Sequence, residues 1–98
     1  MIIRIVRMHF KPESVSEFLA VFEASKDAIR AFNGCESLRL LQDVDDDCSI
    51  QTLSFWKSEE HLNAYRASAL FQETWAKTKV LFDQRPQAAS FNILHASS

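Results

Sequence analysis

The opening ten residues, MIIRIVRMHF, constrain the fold more than any other stretch, because they alternate with period two and are apolar on both faces. Ile3 and Ile5 lead to Arg7 and His9 on one side, while Ile2, Val6, Met8 and Phe10 share the other with Arg4. A strand of this kind needs cover on each side. Pro12 ends it, having no backbone N–H to give to a ladder. Ser14, with Glu17 three residues on, has the spacing of a capping box. Val15, Phe18, Leu19, Phe22, Ile29 and Phe32 then recur at three- and four-residue intervals, and Gly34 follows where a left-handed residue closes a helix. The spacing predicts one helix over residues 14–33.

Two strand-like runs come next, CESLRLLQDV and CSIQTLSFW, joined by DDD, whose short side chains bond their own backbone and suit a hairpin turn. Ser58 is placed to cap a second helix from residue 59, with Glu59 and Glu60 in the first turn, where the helix dipole favours negative charge. Ser68 marks a slight break. Leu70, Phe71, Thr74, Trp75, Thr78, Leu81 and Phe82 form one apolar stripe beyond it, ending before Pro86, and AASFNILH is the last strand.

The order strand, helix, strand, strand, helix, strand predicts an α+β fold: a ferredoxin-like antiparallel sheet, strand order four, one, three, two, with both helices on one face. One such domain over residues 1–98 suits the chain length. Yet Leu53 and Phe55 point opposite to Ile50 and Trp56, and Ala89, Phe91 and Ile93 oppose the more polar side of the last strand. Each large side chain left wet forgoes about 1.5–3 kcal/mol of burial. A homodimer through the sheet face is therefore expected.

The formal charge of -2 arises from 11 basic and 13 acidic residues without a dense positive stripe, which excludes nucleic acid as a natural partner. No apolar run approaches the ~20 residues of a membrane span. Arginines interrupt the apolar start where a signal peptide would be continuous, so a cytoplasmic protein with no membrane partner is expected. Cys35 and Cys48 fall at opposite ends of the hairpin, a poor geometry for a disulfide, and read as reduced thiols. The histidines are too scattered for a metal cluster, and no phosphate loop, nucleophile triad or calcium loop is present; no cofactor or metal is expected.

At FWKSEEHLNAYRASALF, the residues Trp56, Ser58, Glu60, Leu62, Ala64, Ser68 and Phe71 fall on the pattern of the antibiotic biosynthesis monooxygenase domain, and the order of elements matches over nearly the whole chain. The sequence resembles that family. The resemblance implies a dimeric α+β barrel, in which two sheets pack face to face and each protomer keeps a pocket between its helices and sheet. It implies a range of chemistries, from cofactor-free oxygenation of quinols and polyketide aromatics to haem degradation. In several quinol-oxidising relatives a histidine stands where this chain has Tyr65, and an acid where it has Ser54. In haem-degrading relatives the site positions correspond to Val6, Tyr65 and Trp75. An indole has no lone pair to give to iron, which argues against haem chemistry here.

Cofactor-free oxygenation of an electron-rich aromatic requires the ring to be stacked, a proton removed and the intermediate shielded from water. Tyr65, Phe71 and Trp75 are candidate ring contacts on the inner face of the second helix, with Trp56 beside them; the same spacing also suits plain core residues. His9 and His61 are candidate proton acceptors, set against a structural hydrogen bond for His9 and surface exposure for His61. Arg7 and Arg39 could neutralise an anionic substrate, pair with Glu36, or meet an acid at the dimer edge. The reading that follows is a quinol- or polyphenol-type monooxygenase binding a planar aromatic molecule. Its alternative is a non-catalytic dimeric binding module with the same pocket.

Overall fold

The computed structural model describes residues 1–97; Ser98, the last residue of the expected domain, lies outside them. Strand β1 (Ile2–His9) is followed by α1 (Val15–Arg30), the hairpin β2 (Cys35–Gln42) and β3 (Ser49–Trp56), two helices α2 (Glu59–Arg66) and α3 (Ala69–Lys79), and β4 (Gln87–Asn92). The strands form one antiparallel sheet in the order β2-β3-β1-β4, which from the other edge is the expected four, one, three, two. In the hairpin turn, the Asp43 carboxylate accepts from the Asp45 N–H at 2.8 Å and Asp46 from the Cys48 N–H at 2.9 Å. Those acids close their own backbone, as short side chains in a turn do.

The helix boundaries depart from the sequence reading in instructive ways. Pro12–Ser14 winds into a 3-10 turn, so Ser14 is buried with helical dihedrals (φ -100°, ψ -8°) and its side chain caps nothing. A capping serine needs extended backbone, and the proline-led turn removes that option. Helix α1 ends at Arg30 rather than at residue 33, where Ala31 turns its N–H back to Asp27. Gly34 does adopt the left-handed conformation (φ 93°), which only glycine takes without steric cost. A Cβ there would also collide with the His61 side chain.

The break at Ser68 is complete. The Ser58 hydroxyl accepts from the His61 N–H at 3.2 Å to start α2, and Ser68 accepts from the Phe71 N–H at 3.2 Å to start α3. Ser68 also donates to the Tyr65 carbonyl at 2.6 Å, stitching the end of one helix to the start of the next. Leu81 and Phe82 lie past the end of α3; Leu81 is buried, and Phe82 forms a β-bridge with Phe10. The last strand stops at Asn92 instead of continuing to residue 95, and all of β4 is exposed.

The pairing register sorts side chains between the two faces. Ile50, Thr52, Ser54 and Trp56 of β3 align with Met8, Val6, Arg4 and Ile2 of β1 beneath the helices. Their core is divided. Met8, Phe10, Phe18, Ile50 and Leu81 form one buried cluster, while Cys35, Trp56 and Leu62 form another, flanked by Ile2, Phe32 and Tyr65. The opposite face carries Ile3, Ile5, Leu53 and Phe55, half-buried, with Leu41 44% and Phe91 50% exposed. Both faces are apolar, as the first ten residues require, and helices cover only one. Among the described residues no helix is long and apolar enough to cross a membrane.

Candidate functional site

Between the two core clusters the helices stand away from the sheet and leave a cavity of about 320 Å³. Arg4, Val6, Thr52 and Ser54 form its floor, and Leu62, Tyr65, Phe71 and Trp75 face it from α2 and α3. A volume of this size suits a small organic ligand, at the lower end of the ordinary range of ligand pockets.

An unbroken series of rings runs along the wall. Trp56 stacks on Tyr65 at 4.9 Å, Tyr65 meets Phe71 edge-on at 5.3 Å, and Phe71 stacks on Trp75 at 5.9 Å and 9°. The sequence placed Tyr65, Phe71 and Trp75 on one helix face, but it is the break at Ser68 that lets Tyr65 and Phe71, on successive helices, meet edge to face. Trp56 is 0% exposed, and its indole N–H donates to the Ser54 hydroxyl at 2.9 Å, so this ring belongs to the core and to the cavity wall together. Burial pushes the Tyr65 phenol up to about 12, with the Cys35 thiol adding to the effect. At neutral pH Tyr65 is therefore a neutral hydrogen-bond donor and no base.

The two candidate proton acceptors lie elsewhere. His9 is on the outer side of β1, where Nδ1 sits 2.6 Å from Asp83 and Nε2 2.9 Å from Asp46. Those two hydrogen bonds, Asp83 first, raise its pKa above the ordinary imidazole value. The imidazole of His61 is held by Ser58, Oγ to Nδ1 at 2.7 Å, and rests on Gly34. Neither ring lines the cavity. Arg7 and Arg39 are exposed on the outer face, and Glu36 faces Lys57 at 3.9 Å rather than either arginine. Cys35 and Cys48 are free thiols, as expected from their separation along the hairpin.

The charged groups that do line the cavity are two the sequence reading passed over, Arg4 and Arg66. Arg4 occupies the middle of the floor, between Ser54 of β3 and Ser90 of β4, and donates to the Ser90 hydroxyl at 3.0 Å. Burial, and then the positive charge of Arg66, lower its pKa from the usual guanidinium value. The signal was present in the first ten residues: Arg4 is the one charged residue on a strand face otherwise made of Ile2, Val6, Met8 and Phe10.

An α+β sheet roofed by helices around an aromatic, ligand-sized cavity defines the class. Residues 1–77 match the model of the antibiotic biosynthesis monooxygenase family, and the chain belongs to that family. Among solved structures, a conserved protein from Methanosarcina mazei Go1 aligns with a TM-score of 0.87 and 23% identity over 93% of this chain and 91% of its own. Rv0793 from Mycobacterium tuberculosis aligns with a TM-score of 0.90 and 22% identity, covering 99% and 98%. A structure described as an antibiotic biosynthesis monooxygenase reaches 0.90 at 17% identity, covering 97% and 100%. These likenesses establish the fold. A comparison with curated proteins finds no match.

Proposed function

We propose that the protein is a cofactor-independent monooxygenase of the quinol or polyphenol type, acting on a planar aromatic substrate in the cavity. The observation that carries this reading is the ring series Trp56, Tyr65, Phe71 and Trp75 along the cavity wall. In the reaction an aromatic anion passes one electron to dioxygen, the radical pair joins as a ring peroxide, and loss of water leaves a quinone. For a hydroxynaphthalene the balance is ArH(OH) plus O2 giving quinone plus water, so the substrate itself is the reductant.

In this scheme Phe71 and Trp75 stack the ring, Trp56 closes the inner end, and Tyr65 donates a hydrogen bond to a substrate oxygen while helping to exclude water. His9 and His61 do not line the cavity among the described residues, so this scheme assigns neither a proton-transfer step. We place a second copy of the chain on the outer sheet face, supported by the exposed Phe91 and by Ile3, Ile5, Leu53 and Phe55 beside it. One observation favours the alternative of a non-catalytic binding module: among the described residues, the cavity lining holds no carboxylate, imidazole or thiol.

Oxygen uptake with menadiol and hydroxynaphthalenes separates the two. An oxygenase consumes oxygen above the autoxidation rate, and Trp75→Ala lowers kcat/KM by roughly tenfold, the upper range for a lost aromatic pair at about 0.5–1.5 kcal/mol. Ligand binding without oxygen uptake leaves the binding module standing and removes the enzyme.

A further inference from the structure

Arg4 and Arg66 both line the cavity, and among the described residues no acidic side chain lines it with them. Neither guanidinium is in an ion pair among the described residues, although His9, Lys26 and Lys57 are. Of the five N–H donors on Arg4, the structure accounts for one, given to Ser90. Two like charges held near one another over an apolar chamber repel, and burial strips part of the hydration of Arg4, so the arrangement is unfavourable until an anion enters. A second copy of the chain on the outer sheet face would not supply that anion, because Arg4 points to the opposite side, among Ser54 and Ser90 beneath the helices.

We propose that the cavity selects an aromatic substrate carrying a fixed negative charge, a hydroxyarene carboxylate, whose carboxylate is bound by Arg4 and Arg66 while its ring lies against Tyr65, Phe71 and Trp75. The inference rests on the aromatic-cavity reading above and adds the charge of the substrate. It also accounts for the lack of a base in the lining. Two guanidiniums paired with one carboxylate keep a net positive charge that favours ionisation of the neighbouring phenol, whose proton leaves to solvent at the exposed Arg66, so the reactive anion forms without an imidazole. Arginine is suited to this task because its planar fork binds a carboxylate through two parallel hydrogen bonds.

The test compares 1-hydroxy-2-naphthoate with its neutral amide, 1-hydroxy-2-naphthamide, by titrating quenching of tryptophan emission; both tryptophans line the cavity. The expected result is at least about tenfold tighter binding of the naphthoate, in line with charge-assisted hydrogen bonds. That preference falls as sodium chloride is raised and collapses toward unity in Arg66→Gln, the loss falling mainly on the naphthoate. The salt titration needs no variant, and Arg66 is exposed on α2, so its replacement leaves the core intact. Equal binding of acid and amide in the wild-type protein overturns the charge selection and leaves the aromatic cavity standing. If neither compound quenches, the aromatic reading fails, and this inference with it. A naphthoate preference that survives both high salt and Arg66→Gln also overturns the assignment.

Discussion

At the scale of single residues, His9 ties together two segments far apart in sequence. Its ring bridges Asp46 in the hairpin turn and Asp83 after α3, and its carbonyl accepts from the Asp83 N–H at 3.1 Å. Because the two aspartates raise the imidazole pKa, the stabilisation is fully present below the unfolded value near 6.5 and is lost as pH rises through the higher folded value. Asp46 has the opposite sign: its pKa is lowered, first by the Cys48 N–H and then by His9, so its share is present above the ordinary carboxylate range and lost in acid. The bridge is therefore strongest between those limits. Urea midpoints of wild type and His9→Gln should differ at about pH 6 and converge by about pH 9; a gap that stays constant rules out the charged bridge. A histidine at the end of a strand was readable as hydrogen-bonded, but its two partners were not, since neither lies near it in the chain.

Among the secondary-structure elements, three serines show how far local pattern reaches. Ser58 and Ser68 cap helices, and Ser14 does not, although Ser14 has the fuller capping-box sequence. The difference is backbone: the capping residues are extended, whereas the Pro12–Ser14 turn has already committed Ser14 to helical dihedrals. Ser68 has the larger task, since it joins α2 to α3 and so orients Tyr65 against Phe71. Ser68→Ala should cost about 1 kcal/mol in denaturant unfolding, the usual loss for an N-cap, and should also weaken binding of an aromatic ligand. An unchanged midpoint would show that packing alone sets the break. Helix and strand order was legible because period and turn chemistry are local; the ends of α1 and β4 were not, because they depend on what packs against them.

For the molecule as a whole, the outer sheet face supplies the remaining prediction. Wild-type protein at micromolar concentration should sediment as a dimer. Phe55→Glu should raise the dissociation constant on the order of 100-fold or more, since an unpaired buried charge costs about 3–5 kcal/mol. A wild-type mass of one chain would remove the dimer. The need for cover was visible in the alternation of MIIRIVRMHF, whereas the pocket was expected only from the family resemblance and its two arginines were not foreseen. Its position follows from the gap between two core clusters, and its charge from Arg4 on the sheet floor and Arg66 on α2. Hydrophobic period records which side of a strand is covered and carries no information on how closely. That closeness is set in part by Gly34, the only glycine in the chain, on whose bare backbone His61 rests. Tyr65 and Arg66 follow about one turn later on the same helix. The missing methyl group thus acts as a spacing gauge: a bulkier residue at that point would lift α2 and widen the chamber some distance away, altering which molecules fit without touching any group that meets them.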